Sequence, residues 1–349
     1  MAEYRSTGKE LRKSPKGIIA LGILVAVGIV GTYFGTHVWG NIRPIVNMDP
    51  LPEESDDTEI IIPTETTAPP ADQTVFSYQA FFGSDFDGSK GNLALVNRDH
   101  ATGDIKEGLV SVYEHRNEHF GVSTTDIKLL ETPSKMLSMM MEGFFLATGH
   151  EDIQITDGYR TEAKQKSLYD KATANGTETN TAQAGHSDHE TGLSFDFNIY
   201  SGGTISEFDG TGDYAWLAEH CADYGFIQRY PADKTELTGF NAELSHFRYV
   251  GIPHAKYMKE NNLCLEEYLA ILKNYTYDGE RLQLSDGEKV YAAFYVPIVA
   301  VDDAGIFEIP IPSDTEYEIS GDNQKGVIVT YLTQMTETSV VTETTAPTE

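Results

Sequence analysis

Ser187-Asp-His-Glu-Thr-Gly-Leu-Ser-Phe-Asp196, taken with Glu243-Leu-Ser-His-Phe-Arg-Tyr249 further along, decides how this chain is read. The first word sets the imidazole of His189 seven positions ahead of the carboxylate of Asp196, and the second sets Glu243 three positions ahead of His246. Two neutral nitrogen donors and one oxygen donor suit a catalytic zinc whose fourth position stays open to water. Glu243 is then left over. A general base has to stand beside such an ion without ligating it, and a glutamate close in sequence to one ligand is placed to do so. Gly192 lies between the first two ligands, where freedom to turn lets both point inward. Asp188, Glu190 and His186 crowd the same loop and are read as solvated polar residues.

Upstream, Asp157-Gly-Tyr-Arg-Thr161 places Arg160 at a turn leading into a helix, positioned to grip a carboxylate bidentately or steady a developing oxyanion. Gln165 follows roughly one and a half turns along the same helix. Helical patterns run over residues 134–148 and 161–176, and the methionines in the first are read as core packing. Alternating runs at Ile153-Gln-Ile-Thr, Leu193-Ser-Phe-Asp-Phe-Asn-Ile and Phe247-Arg-Tyr-Val predict strands among the helices. The expected class is α+β, a small and mainly antiparallel sheet flanked by helices and holding one zinc. His115-Arg-Asn-Glu-His119 formally matches a two-histidine zinc word, but the Phe-Gly-Val-Ser-Thr-Thr-Asp that follows does not sustain the helix it requires.

Beyond this core, residues 17–40 form an uncharged apolar stretch preceded by Arg5, Lys9, Arg12, Lys13 and Lys16. That pattern predicts a single transmembrane anchor with residues 1–16 in the cytoplasm and the rest of the chain outside the cell. Residues 41–76 are rich in Pro, Thr, Asp and Glu and read as a stalk, and the hexamer TETTAP found there recurs in the Thr/Glu-rich tail at 334–349. The catalytic domain is expected over 77–273. After it, Gly and Asp turns separating strand patterns at 290–301, 306–311 and 326–331 predict an all-β appendix over 274–333. The formal charge is −29, and outside the first 16 residues 20 basic side chains face 52 acidic ones. Such a surface repels phosphates, which excludes nucleic acid as a partner. Only Cys221 and Cys264 are present, too few for a disulfide scaffold. They are expected as buried thiols, with a single bridge left open.

These words resemble the VanY-type D-alanyl-D-alanine carboxypeptidases within the LAS group of peptidoglycan peptidases. The resemblance rests on SxHxxGxxxD at 187–196, on GYR and RxxxxQ at 158–165, and on ExxHxRYVG at 243–251, over a span of roughly residues 93–272. Tyr224-Gly-Phe-Ile-Gln-Arg-Tyr-Pro231 and Leu265-Glu-Glu-Tyr-Leu269 look like that family's closing helices. By resemblance His189, Asp196 and His246 are zinc ligands, Glu243 the catalytic base, and Arg160, Gln165 and Ser187 the lining of a pocket for peptidoglycan stem peptides. The chain departs from the pattern at Ser194, where the family has alanine, and at Leu244-Ser245, where it has Pro-Trp. Loss of that tryptophan takes away a large pocket wall. The implied activity is removal of a terminal D-amino acid, with D,D or L,D preference left open. The rivals are an endopeptidase using the same metal and a non-catalytic zinc or wall-binding module.

Overall fold

The computed structural model describes residues 72–82, 87–103, 105, 107–299 and 305–333. The expected cytoplasmic segment, anchor, stalk up to residue 71 and tail lie outside these. Among the described residues no helix is long and apolar enough to cross a membrane.

Fourteen strands are described. They are β1 (Phe76–Phe82), β2 (Leu109–Ser111), β3 (Gly121–Val122), β4 (Lys128–Leu130), β5 (Ile153–Asp157), β6 (Ser194–Ser201) and β7 (Thr204–Ser206), then β8 (Phe226–Tyr230), β9 (Glu243–Tyr249), β10 (Leu282–Ser285), β11 (Val290–Pro297), β12 (Ile306–Pro312), β13 (Tyr317–Gly321) and β14 (Gly326–Leu332). The longer helices are α1 (Glu131–Thr148), α2 (Glu162–Asn175), α3 (Ile252–Glu260) and α4 (Leu265–Leu272). The central sheet runs β3-β5-β6-β9-β8 with β7 beside β6, and only the short β3–β5 pairing is parallel. The fold is thus mixed, with helices against a mainly antiparallel sheet.

Local chemistry explains the two helices nearest the site. In α1, Leu137, Met140, Met141 and Phe144 recur at helical spacing and are fully buried, while Met139 faces outward, so most of the methionine run is core as expected. Gly149, at φ 77°, ends the helix and donates its N–H to Phe145 O. In α2 the Thr161 hydroxyl accepts from Lys164 N at the start, and Gly176, at φ 70°, closes the end. The sheet buries Phe195, Phe197 and Phe247 against α1. Alternation along β6 therefore turns Asp196 away from that core.

One expectation fails. Tyr224–Pro231 is not a closing helix, because Phe226–Tyr230 is the edge strand β8, paired with β9. Gly225, at φ 81°, stops the preceding turn, and aromatic and β-branched residues then pack flat on the sheet. The other segment, Leu265–Leu272, is helical as expected.

A second sheet, β10-β11-β14-β13, follows these helices, and its Leu282, Leu284, Ala293 and Ile328 share a core with α3 and α4. β1 pairs with β12 throughout, from Phe76 opposite Pro312 to Phe82 opposite Ile306. Asp72 reinforces this attachment by pairing with Arg281 at 3.3 Å, and the Arg281 guanidinium lies 4.6 Å over the Phe76 ring. Cys221 and Cys264 are both buried free thiols. Burial pushes Cys221 up to about 12 and Cys264 up to about 11, so neither is a nucleophile at neutral pH.

Candidate active site

The sheet brings the two sequence words together. Asp196 on β6 and His246 on β9 are directly opposed in register, and His246 Nδ1 lies 2.7 Å from Asp196 Oδ1. His189 sits in a short helical turn over Asp188–Thr191 that ends at Gly192 with φ 67°. The positive φ favours glycine there, and a side chain at Gly192 would also press on the Leu109 methyl at 3.0 Å. His189 Nε2 reaches Asp196 Oδ2 at 3.0 Å, while its Nδ1 faces Gly158 O at 2.7 Å. The carbonyl can only accept, so Nδ1 carries the proton and Nε2 offers its lone pair to the cluster.

The three donor atoms lie within 4.8 Å of one another. His246 Nε2 is buried without a hydrogen-bond partner among the described residues, so the polar contact of that ring is made at Nδ1. Two imidazole nitrogens with the proton of one tied away, and one carboxylate, are a donor set that fits a zinc ion. Burial works to raise the Asp196 carboxyl, but the facing imidazoles of His189 and His246 overcome it and hold the group well below the usual carboxylate range.

Arg160, Gln165, Ser187, His189, Glu243 and His246 all line one cleft of about 260 Å³. Glu243 and His246 stand three apart on one strand, which strict alternation would put on opposite faces. The pairing with β8 is irregular there, since Gln228 pairs with Phe247 but Tyr230 with Glu243, so regular strand geometry does not hold across this stretch, and both side chains line the cleft. Arg160 is engaged, with Nε donating to Asp157 Oδ2 at 3.0 Å, Nη1 to Gln165 Oε1 at 3.3 Å and Nη2 to Asp196 Oδ2 at 3.2 Å. A larger hollow of about 670 Å³, lined by Lys90, Asn92, Glu107 and Leu130 among others, has no histidine among the described residues of its wall.

The loop acids are not solvated, contrary to expectation. Asp188 is buried, accepting from Arg229 Nε at 2.8 Å and from Arg248 Nη1, and both arginines are fully buried. Arg229 also pairs with Glu266 at 2.7 Å. Burial tends to raise Asp188, but Arg248 and Arg229 outweigh it and keep the carboxyl below its ordinary value. Glu190 turns back to accept from Gly185 N at 3.0 Å and Ser187 N at 3.1 Å, which shapes the turn holding His189. Sequence reasoning also passed over Asp157, Tyr230 and Phe240. The Tyr230 ring stacks on His246 at 5.0 Å, and Phe240 and Tyr230 line the cleft together, giving it an aromatic wall despite the missing tryptophan. The rejected word is dispersed: His115 ends a four-residue helix, whereas His119 faces Glu142 and Glu151.

Comparison with known proteins agrees with this geometry. Residues 134–252 match the family model described as VanY, D-alanyl-D-alanine carboxypeptidase. A D-alanyl-D-alanine carboxypeptidase of Enterococcus faecium is 33% identical over 254 residues, 72% of this chain and 78% of that protein. The bifunctional D-Ala-D-Ala dipeptidase and carboxypeptidase VanXYC of Enterococcus gallinarum is 32% identical over 185 residues, 50% of this chain and 92% of its own length. Among solved structures, the vancomycin resistance D,D-dipeptidase VanXYg, crystallised with a D-Ala-D-Ala phosphinate analogue, superposes with a TM-score of 0.64 at 29% identity, covering 74% of this chain and 99% of its own. The chain belongs to the VanY family of D-alanyl-D-alanine carboxypeptidases and is a hydrolase.

Proposed function

We propose that this protein is an extracellular, zinc-dependent carboxypeptidase that removes the C-terminal D-alanine from peptidoglycan stem peptides, anchored by residues 17–40. His189, Asp196 and His246 hold the ion. The observation that supports this most is the convergence of their three donor atoms within 4.8 Å, with Glu243 on the same cleft and outside the ligand set. Zinc, when bound, supplies Lewis acidity toward the scissile carbonyl and lowers the pKa of a coordinated water to about 7.

Glu243 takes a proton from the attacking water and passes it to the amine of the departing D-alanine as the C–N bond breaks. Arg160 spends three of its five N–H groups on Asp157, Gln165 and Asp196 among the described residues, leaving two to meet a substrate oxygen. Gln165 fixes the orientation of that fork, because its Oε1 accepts from Arg160 while its Nε2 donates to Ala182 O at 2.7 Å. Ser187, buried at the cleft wall, lines the seat of the terminal residue.

Purified protein incubated with pentapeptide should release free D-alanine, lose that activity to a chelator and regain it with added zinc. No release from penta- or tetrapeptide by fully zinc-loaded protein would remove the enzymatic reading and leave the wall-binding module.

A further inference from the structure

Beside the active cleft, and sharing Thr181 and Ala182 with it, lies a second pocket of about 160 Å³ whose wall includes Arg98, Tyr169, Glu178 and His186. Glu178 Oε2 is buried there with no hydrogen-bond partner among the described residues. A buried carboxylate oxygen left unmet is costly, so its partner has to be sought in what fills the pocket. Arg98 does not supply it. Its Nη2 donates to Thr179 O, and its guanidinium lies 4.8 Å over the Phe240 ring. That bond takes one of the five N–H groups of an arginine, and the others are left to give. Gln183 Nε2 donates to the Tyr169 hydroxyl at 3.3 Å, so that hydroxyl still has its own proton to donate. His186 Nδ1 faces Asn97 O at 2.8 Å; the carbonyl only accepts, which puts the ring proton on Nδ1 and makes Nε2 an acceptor.

The wall thus offers two acceptors, Glu178 Oε2 and His186 Nε2, and two donors, the Arg98 guanidinium and the Tyr169 hydroxyl. A plain anion is repelled by Glu178, and a plain ammonium leaves Arg98 uncompensated. One carboxylate and one imidazole are too few to hold a metal, and the three-donor cluster found among the described residues is His189, Asp196 and His246. A molecule carrying both charges meets both halves of the wall. The volume exceeds the roughly 30 Å³ that one water occupies, which leaves room for a small solute. We infer that this pocket binds a small zwitterionic α-amino acid, its ammonium on Glu178 Oε2 and its carboxylate on Arg98. D-Alanine is the amino acid that the proposed carboxypeptidase activity releases next to it; naming D-alanine rests on that reading, whereas the charge pattern of the pocket does not.

The test is calorimetric titration of full-length protein kept metal-free by a chelator, so that zinc plays no part in the signal. D-Alanine, L-alanine, ethylamine and acetate are titrated into wild type, Glu178→Gln and Arg98→Gln. Wild type should bind alanine with a Kd of about 1–10 mM. Ethylamine and acetate, each with one of the two charges, should bind at least about tenfold more weakly. Each substitution should weaken alanine by about tenfold or more, and Glu178→Gln loaded with zinc should keep pentapeptide turnover within about twofold of wild type. Tighter binding of D-alanine assigns the released product as the occupant, and equal binding of both enantiomers assigns small amino acids in general. No saturable binding of either alanine, ethylamine that binds as well as alanine, or undiminished alanine binding in Glu178→Gln overturns the inference. Failure of the zinc-loaded wild type to release D-alanine from pentapeptide removes the carboxypeptidase reading and leaves the titration to decide the pocket.

Discussion

Replacing Asp188 by alanine removes the carboxylate that two buried arginines share. Arg229 would keep Glu266, but among the described residues Arg248 would be left with only the carbonyls of Tyr249, Asn92 and Ala94 as partners. The cluster of two guanidiniums and two carboxylates, neutral as it stands, would carry one uncompensated positive charge at positions with no solvent exposure. Breaking a buried pair this way costs about 3–5 kcal/mol. Because Arg248 keeps no counter-ion, the upper part of that range applies, and it is a large share of a typical stability of about 5–15 kcal/mol. At roughly 2–4 °C per kcal/mol for a domain of this size, thermal melting at pH 7 should fall by about 8–20 °C. The pH dependence has a definite sign. The folded carboxyl titrates below its ordinary 3.8, so its contribution is present above that pH and is lost as pH falls through the lower folded value. The gap between wild type and variant should therefore close in acid. Replacing Arg248 by methionine in the same protein should restore part of the loss. A decrease under about 1 kcal/mol, or a gap that persists unchanged into acid, would refute the reasoning.

Gly158→Ala would drive its new Cβ to 2.5 Å from Lys128 O, so the backbone must shift and draw the Gly158 carbonyl off His189. Zinc affinity, measured by competition with a chelator, should weaken by about 10–100-fold, and unchanged affinity would contradict this. His254 is buried between Tyr268 and Thr330, and burial pushes it down to about 3 from 6.5. Its contribution is thus complete above pH 6.5 and lost as pH falls toward 3, at about 1.4 kcal/mol per unit. Urea midpoints of wild type should consequently drop more steeply than those of His254→Gln between these values, and parallel curves would count against the assignment. Ser194 has a buried hydroxyl with no partner among the described residues. Ser194→Ala should be neutral or up to about 1 kcal/mol more stable, and a marked loss of stability would show a missed bond.

Much of the site was legible because its chemistry is written in local words. His189, Asp196, Glu243 and His246 could be singled out by residue type and spacing, and the turn at Gly192 follows from the need to change direction between His189 and Asp196. The helices near the site were equally legible from their apolar spacing and their Thr161, Gly149 and Gly176 boundaries. What escaped depends on contacts distant in sequence. Asp188 looks like any loop acid until Arg229 and Arg248 arrive from two other strands. Phe226–Tyr230 has no helical or strand signal strong enough to decide by itself, and pairing with β9 decides it. The bond between β1 and β12 joins residues near opposite ends of the described chain, which no local pattern encodes. Arg160 lines the cleft, yet its engagement with Asp196 became visible only when the sheet was assembled.

The central claim is that three side chains hold one ion while Glu243 stays out of the ligand set to move protons. Zinc content and D-alanine release, measured on the same preparations of wild type and Glu243→Gln, test it most directly. The account predicts equal zinc occupancy in both proteins and release slower by about 10²–10⁴-fold in the variant. A variant that loses its zinc together with its activity, or one that keeps full activity, would contradict it.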